Sequence, residues 1–410
     1  MSKIVVIGAG AAGMIAAGKA AENAEKVIII EQNSFFGKKL RITGKGRCNI
    51  TNAAEIEDMI NMYPTNSKFL YSALYTFTND DIVSLLNEYG VETKVERGGR
   101  VFPVSDKAED VVKALKKYAM KENVSVITGR ATELVIADGE VKGVKVNDKK
   151  INADKVIVCT GGISYPQTGS TGDGYKFAKS AGHTVTELKP SLVPIVTEEA
   201  WVKDVMGLAL KNVEVTAFNQ KGKKVYTDFG EMLFTHFGVS GPVILSMSAH
   251  LGNINKEKYR LEIDLKPALS EEQLDTRLLR DFEKYHKKHL INAMDDLLPK
   301  ALIPVVVKQS GIEPHKAVCE LTREERSAVL NVIKHLTLTL KQFRPVSEAI
   351  VTSGGVKVGE INPSTMESKL VKGLYFAGEV IDIDGYTGGY NLQAAYSTGY
   401  LAGMNASEEC

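Results

Sequence analysis

Residues 1–31 read MSKIVVIGAGAAGMIAAGKAAENAEKVIIIE. The apolar run that ends at Ile7 predicts a strand, and the run Val27–Ile30 predicts a second strand that ends on Glu31. Between them, the stretch from Gly8 to Gly13 has the spacing G-x-G-x-x-G. A glycine turn between a strand and a helix, with an acid closing the next strand, is typical of a dinucleotide site in an α/β, Rossmann-like domain.

Each residue of this motif has a physical task. Gly8 permits the tight turn, Gly10 lets the backbone approach a pyrophosphate, and Gly13 lets the helix pack closely on the strand. The helix then presents free N–H groups and positive dipole to phosphate. Glu31 accepts hydrogen bonds from a ribose diol and repels a 2′-phosphate. A secretory signal is the alternative, but four glycines interrupt the apolar run and a strand follows it.

Length, charge and cysteine usage restrict the possible number of domains, the binding partners and the cellular setting. A chain of 410 residues allows two or three domains, and its formal charge of +1 indicates neither a nucleic acid nor an anionic membrane as partner. No apolar run reaches the roughly 18 residues of a membrane span. Because the four cysteines lie far apart, we expect no disulfide framework, no metal site and a cytoplasmic setting. The sequence does not define an oligomeric state.

Two segments after the first motif also have features of a binding site. Residues 32–52 are rich in glycine and basic residues and lack periodicity, so they predict an ordered loop around a phosphorylated cofactor. A solvated basic loop is the alternative. Residues 124–158 alternate with period two around an Asp-Gly turn, which predicts a β-meander that ends in Cys159-Thr160-Gly161-Gly162.

The middle of the chain predicts an insertion. We expect a discontinuous first domain at 1–189 and 346–410, and an inserted domain at 190–345 that is β-rich over 190–268 and helical over 269–345. Ser270 and Thr322 each begin a capping box and therefore predict two helix starts. Near the end of the chain, a short strand runs into Gly378-Glu379, and a glycine-rich segment precedes a helix that begins near Asn391.

One type of protein builds a single domain from both ends of its chain. In two-dinucleotide-binding flavoproteins the chain returns to its first domain and aims its last helix at the flavin pyrimidine. The dipole of that helix stabilises negative charge on the reduced flavin.

Specific motifs extend this resemblance over nearly the whole chain. In chain order they are Gly8–Gly13, Ile42–Asn49, Gly161-Gly162, Gly169–Gly174, Leu233–His236, Gly241-Pro242, Ala377–Glu379 and Gly388–Gln393. With them, the sequence resembles the HI0933-like or BaiN-like family of NAD(P)/FAD-dependent oxidoreductases. The resemblance implies a Rossmann-like FAD domain built from both chain ends, with an inserted β-barrel plus helical domain.

The resemblance also implies the positions that contact FAD. They lie in the glycine loop, after the second strand, in the basic loop, and at the ends of later strands and the last helix: Gly8, Gly10, Ala11, Ala12, Gly13, Glu31, Gln32, Lys38, Lys39, Thr43, Gly44, Gly46, Arg47, Cys48, Asn49, Arg130, Ala131, Thr160, Gly161, Gly162, Gly378, Glu379, Asp384, Asn391, Leu392 and Gln393.

The activity that the resemblance implies is reduction of a small molecule. Hydride from NADH or NADPH passes through the flavin to an electron-poor C=C or C=O, with 3-dehydro-bile-acid reduction as one activity attached to the family. Lys45 and Arg47 are expected to stabilise the reduced flavin. The chain has no second complete G-x-G-x-x-G after a strand, so the nicotinamide is expected to bind transiently at the flavin. Two alternatives stay open: an amine or aminoketone oxidase that uses O2, and a non-catalytic or RNA-directed FAD-binding protein.

The sequence does not single out a catalytic acid. Cys48, His236, Tyr386 and Tyr390 carry suitable chemistry, but each is explained as well by packing near a cofactor or in the core. We therefore assign no catalytic residue from the sequence.

Overall fold

The computed structural model describes residues 2–252, 254 and 256–408. The chain divides into two compact units. The first, which we call the Rossmann unit, comprises Met1–Ser191 and Pro345–Cys410, and the second, the inserted unit, comprises Leu192–Arg344.

The strands and helices follow in chain order. The strands are β1 (Lys3–Ile7), β2 (Lys26–Glu31), β3 (Thr51–Asn52), β4 (Thr93–Glu96), β5 (Arg100–Pro103), β6 (Val124–Thr128), β7 (Ala131–Ala137), β8 (Glu140–Val146), β9 (Lys149–Asn152), β10 (Lys155–Val158), β11 (Lys189–Ser191), β12 (Ile195–Thr197), β13 (Ala209–Asn219), β14 (Lys224–Phe234), β15 (Gly238–Ser240), β16 (Tyr259–Asp264), β17 (Leu336–Phe343), β18 (Val351–Ser353) and β19 (Leu374–Phe376). The α-helices are α1 (Ala11–Ala20), α2 (Ile56–Ile60), α3 (Tyr71–Thr76), α4 (Asn79–Glu88), α5 (Ala108–Ala119), α6 (Asp173–Ser180), α7 (Pro242–Ser248), α8 (Glu271–Lys284), α9 (Ile303–Gln309), α10 (Arg323–Lys334) and α11 (Tyr390–Ser407).

A parallel sheet organises the Rossmann unit. Its strand order is β19-β10-β1-β2-β6, and each neighbouring pair is parallel. The central strands are continuous apolar runs that are buried, as expected for a sheet covered on both faces. The chain moves from β1 to β2 on one side, while β10 lies on the other side of β1. Such a change of direction opens a crevice at the carboxyl ends of the strands, where ligands of open α/β sheets bind.

The first and last helices of the unit pack against each other through small residues. A Cβ atom at Gly399 would lie 2.4 Å from the carbonyl oxygen of Ala12, and one at Gly403 would lie 2.4 Å from that of Ala16. The two contacts step along both helices in the same direction, so α1 and α11 run parallel here. This close approach fixes the two chain ends relative to each other.

The inserted unit is built around a closed antiparallel barrel with the order β12-β15-β14-β13-β16-β17. The capping boxes predicted at Ser270 and Thr322 are confirmed, since each hydroxyl accepts the N3 amide of its helix and each N3 side chain returns to the cap. The expectation that 269–345 is helical throughout is wrong at its end, where β17 pairs with β16 and β12 and closes the barrel. The sequence LTLTL from Leu336 has a strand period, which places alternate leucines in the core.

No helix in the described part of the chain is both long and apolar enough to cross a bilayer.

Candidate functional site

The glycine turn after β1 is shaped by close backbone contacts. Gly8 has φ +101°, and its amide donates to the carbonyl of Ile30 at 2.8 Å. A Cβ at Gly13 would lie 1.8 Å from the Gly8 carbonyl oxygen. Any side chain at this position would therefore push α1 away from the turn. At Gly10, by contrast, a Cβ would meet no atom within 4 Å. Open space therefore lies beside Gly10, where Ala11, Ala12 and Gly13 form the first turn of α1 and their amides lack helical acceptors.

Glu31 closes β2 beside this turn and is largely buried. Its carboxylate accepts hydrogen bonds from the Ala9 amide at 2.7 Å, the Asn33 amide at 2.8 Å and Asn33 Nδ2 at 2.7 Å. Gln32 donates from Nε2 to the carbonyl of Gly169 at 2.7 Å, and Lys38 Nζ lies 3.3 Å from Asn33 Oδ1. These bonds hold the acid at the mouth of the crevice. Asn33, which sequence reasoning missed, orients the carboxylate; its position two residues after the acid is the local signal.

A second helix start faces the same edge of the sheet. Gly389 precedes α11 with φ +104°, and the first intrahelical bond runs from the Gln393 amide to the Gly389 carbonyl at 3.0 Å. The amides of Tyr390, Asn391 and Leu392 therefore have no helical acceptor. Asn391 stabilises the preceding turn, since its Oδ1 accepts the Gly385 amide at 2.8 Å and its Nδ2 donates to the Gly385 carbonyl at 2.6 Å.

The end of β19 brings the two helices into register. A Cβ at Gly378 would lie 2.9 Å from the Cβ of Ala12. Gly399 also contacts Ala12, and α11 begins nine residues before Gly399 whereas α1 begins one residue before Ala12. The start of α11 therefore projects about 12 Å beyond the start of α1, at 1.5 Å per residue. Two sets of free amides thus lie at the same edge of the sheet, offset along the helix axes by a distance on the scale of a dinucleotide.

The basic loop at 38–49 has an unusual backbone. Gly44, Lys45, Gly46 and Cys48 all have positive φ, at 56°, 59°, 85° and 63°. Thr43 turns its hydroxyl to the Leu40 carbonyl at 2.6 Å. Left-handed residues other than glycine are sparse and cluster at functional sites.

The charge of Arg47 is used within the protein. Its guanidinium pairs with Glu96 and Asp106, and lies 4.1 Å over the ring of Phe102. Two carboxylates already balance this cation, and the stabilisation of reduced flavin by Arg47 stays a prediction. Long-range pairing of this kind leaves no signal in the sequence.

Cys48 is fully buried, and burial raises the pKa of its thiol to about 12. The thiol is therefore neutral near pH 7 and is not an activated nucleophile.

A polar network joins the basic loop to the end of β19. Lys39 Nζ lies 2.6 Å from Glu379 Oε2 and 2.7 Å from Ser164 Oγ. Glu379 Oε1 also accepts from Ser164 Oγ at 2.9 Å and the Thr352 amide at 2.9 Å. Burial favours the neutral acid, but the Lys39 charge and these hydrogen bonds outweigh it and hold the pKa of Glu379 below its ordinary value. Ser164 and Thr352 were not anticipated, because each is an isolated hydroxyl in a turn or strand.

Other expected positions lie at the same edge or support it. Asp384 is buried and accepts from Ser191 at 2.8 Å and Ser353 at 3.2 Å. The side-chain amide of Gln393 accepts a hydrogen bond from the Thr51 hydroxyl and donates to the Phe77 carbonyl and the Ser397 hydroxyl. This side chain therefore acts as an internal brace.

Ala131 is buried at the start of β7, and the neighbouring Arg130 forms a bidentate pair with Asp173 at the start of α6. Gly161 has φ +71°, and a Cβ at Gly162 would lie 3.0 Å from Glu379 Oε1.

Two buried polar atoms at this edge have no hydrogen-bond partner among the described residues. They are Thr160 Oγ1, just after β10, and Asn49 Oδ1, at the end of the basic loop. Buried polar groups are almost always paired, so each unpaired one calls for a ligand or water. With the open space at Gly10 and the two sets of helix amides, the residues present fit a bound FAD.

Comparison with known proteins gives a consistent result. The model of the HI0933-like protein Rossmann domain matches residues 2–405. The chain is 32% identical to a 3-dehydro-bile acid delta(4,6)-reductase of Clostridium scindens over 100% of both chains. It is also 32% identical to a ribosomal RNA dihydrouridine synthase of Haemophilus influenzae, over 100% of this chain and 99% of the relative.

Among solved structures, a 3-ketosteroid delta1-dehydrogenase of Sterolibacterium denitrificans shares the fold. The TM-score is 0.53 at 13% identity, with 99% of each chain covered. A family match over almost the whole length, together with full-length relatives, establishes the assignment. The chain belongs to the HI0933-like family of FAD-dependent oxidoreductases.

Proposed function

We propose that this protein uses hydride from NADH or NADPH to reduce a C=C bond conjugated to a carbonyl group. The observation that carries the proposal is the alignment of two helix starts, those of α1 and α11, along one edge of the parallel sheet. The start of α1 suits the phosphates of FAD, and the start of α11 suits a ring system that becomes negatively charged on reduction.

The chain's own groups have distinct tasks in this proposal. The first-turn amides of α1 hold the pyrophosphate, and Glu31 accepts from the adenosine ribose. Thr160 Oγ1 and Asn49 Oδ1 gain the partners that they lack within the protein. The amides of Tyr390, Asn391 and Leu392 stabilise negative charge at the flavin pyrimidine. When bound, the flavin supplies hydride transfer between donor and substrate.

The names of the full-length relatives support this type of reaction. A 3-dehydro-bile acid delta(4,6)-reductase acts on a double bond conjugated to a ketone, and a dihydrouridine synthase saturates the C=C bond of uracil, which is also conjugated to a carbonyl. Two different substrates thus share one bond type. A small conjugated ketone is our first candidate substrate class.

A second candidate substrate is uridine in ribosomal RNA. The observation that favours it is the full-length match, at equal identity, to a ribosomal RNA dihydrouridine synthase. The net charge of +1 gave no indication of a nucleic-acid partner. Because sequence-independent contacts to phosphate depend on local cations, balanced net charge does not oppose this candidate.

Anaerobic flavin reduction tests the proposal. We expect NADH or NADPH to bleach the visible flavin band of the FAD-loaded protein, and a panel of amines to leave it unchanged. A conjugated enone or a uridine-rich ribosomal RNA fragment, added to the reduced protein, should then restore the band. Reduction by an amine and not by a nicotinamide would instead support an oxidase. Failure of both acceptors would overturn the proposed reaction.

The space beside Gly10 gives a sharper test of the FAD site. In Gly10→Ala the added methyl group meets no protein atom within 4 Å, so the apoprotein should melt as the wild type does. The methyl group does enter the space assigned to the pyrophosphate, so affinity for FAD should fall at least about tenfold, a loss of 1.4 kcal/mol. Fluorescence titration of apoprotein with FAD measures the affinity. Unchanged affinity would place the pyrophosphate elsewhere.

A further inference from the structure

A cleft of about 570 Å³ lies at the opposite edge of the parallel sheet from the candidate FAD site. Its walls come from the amino ends of β1 and β10, the β8–β9 hairpin and the turn before β19. β1 spans five residues from Lys3 to Ile7, so roughly 17 Å of strand separates the cleft from the glycine turn. The cleft is therefore a separate feature of the Rossmann unit.

The lining of the cleft carries an excess of positive charge. Five lysines and two acids line it, which leaves a formal charge of +3. Glu140 is shared between Lys142 at 2.6 Å and Lys372 at 3.1 Å. Asp154 accepts the backbone amide of Lys3 at 2.8 Å.

Three of the lysines are not neutralised. Lys3, Lys150 and Lys155 form no ion pair within the described residues. On the neighbouring strand β7, by contrast, Glu133 neutralises Lys145 at 2.7 Å. Three unpaired lysines that line one concave space create a local field which attracts anions.

The walls of the cleft are fixed by backbone hydrogen bonds. The amide of Asp154 donates to the Lys3 carbonyl at 2.9 Å, that of Val156 to the Gly373 carbonyl at 2.9 Å, and that of Val141 to the Lys372 carbonyl at 3.0 Å. Gly373 has φ +77°, and a Cβ there would lie 2.8 Å from the Asp154 carbonyl oxygen. The lysines therefore extend from a pre-formed scaffold, which reduces the entropy lost on binding.

We propose that this cleft is a second anion site, which binds the phosphate groups of a phosphate ester. Lysine ammonium groups bind phosphate as point charges, and three of them match a ligand with more than one negative charge. The volume suits a ligand of nucleotide size and exceeds what a single small ion fills. Free phosphate compounds and the RNA backbone share this chemistry, and the experiment separates them.

The test compares two double variants with the same change in charge. Lys150→Glu/Lys155→Glu reverses two cations of the cleft. Lys149→Glu/Lys179→Glu is the matched control, because both of its lysines are exposed and neither lines the cleft. The FAD-loaded proteins are titrated at low salt with inorganic pyrophosphate by calorimetry, and with a labelled single-stranded RNA of about 12 nucleotides by fluorescence anisotropy.

We expect the wild type to bind at least one probe, the cleft variant to bind it at least about tenfold more weakly, and the control to stay within about twofold. Binding of pyrophosphate identifies a small phosphate compound as ligand, and binding of RNA alone identifies the RNA backbone. Flavin content and melting temperature should be equal in all three proteins. The proposal is overturned if neither probe binds, or if both double variants weaken binding equally. Neither result bears on reduction at the flavin.

Discussion

Gly399→Ala should lower the free energy of unfolding by about 2 kcal/mol and release FAD from the purified protein. An alanine inside a helix normally stabilises it by about 1 kcal/mol relative to glycine. Here the new methyl group would lie 2.4 Å from the Ala12 carbonyl oxygen, a backbone atom that cannot move aside by itself. Helices α1 and α11 must separate, and the two helix starts then lose their alignment.

Urea unfolding and the ratio of flavin to protein absorbance measure these two effects. Gly359→Ala is the matched control, since the nearest atom to its new Cβ is the flexible Lys357 side chain at 4.0 Å. The control should unfold within about 0.5 kcal/mol of the wild type. A Gly399→Ala protein as stable as the wild type, with full flavin content, would contradict the close packing of the two helices.

Glu379→Ala should have the second large effect, a loss of about 2 kcal/mol in the free energy of unfolding. Removing the carboxylate leaves the Lys39 ammonium group without its partner at 2.6 Å, and also strips Ser164 Oγ and the Thr352 amide of an acceptor. Breaking a fully buried pair costs about 3–5 kcal/mol. The expected loss is smaller because the two side chains keep 25% and 20% of their surface exposed.

A double-mutant cycle with Lys39→Met separates the charge pair from the hydrogen bonds. The double variant Lys39→Met/Glu379→Ala should be more stable than Glu379→Ala alone, because no unpaired ammonium group remains. Additive losses would show that the pair carries no coupling.

The pH dependence of this carboxylate provides an independent check. Because the pKa of Glu379 is lowered from its ordinary value of 4.5, its contribution to stability is fully present above pH 4.5 and is lost as the pH falls below that value. The advantage of the wild type over Glu379→Gln in urea unfolding should therefore be constant near neutral pH and shrink in acid.

Much of the fold could be predicted from short-range patterns. The turn from Gly8 to Gly13 specified a parallel αβ unit, because each glycine meets a steric requirement within a few residues. Capping boxes at Ser270 and Thr322 are equally local. The closing strand β17 was missed, since it follows a run of helices and its alternating leucines have meaning only beside β16.

The site was harder to predict because its charges are paired over long distances in sequence. A basic residue such as Arg47 suggests a free cation until its partners Glu96 and Asp106 are seen. The side-chain oxygen of Gln393 likewise accepts a hydrogen bond from Thr51, which lies 342 residues earlier. Sequence motifs indicate which residues surround a cofactor site, but not which of their polar atoms remain available.

The pairing of α1 with α11 has a consequence for biosynthesis. At about 5–20 residues per second, a ribosome completes α11 roughly 20–80 s after α1. Throughout that interval α1 lacks the helix whose Gly399 and Gly403 cover it, and the second set of amides does not yet exist. If both sets of amides hold FAD as proposed, tight capture of FAD should follow translation of α11. A polypeptide that terminates before α11 should therefore stay colourless.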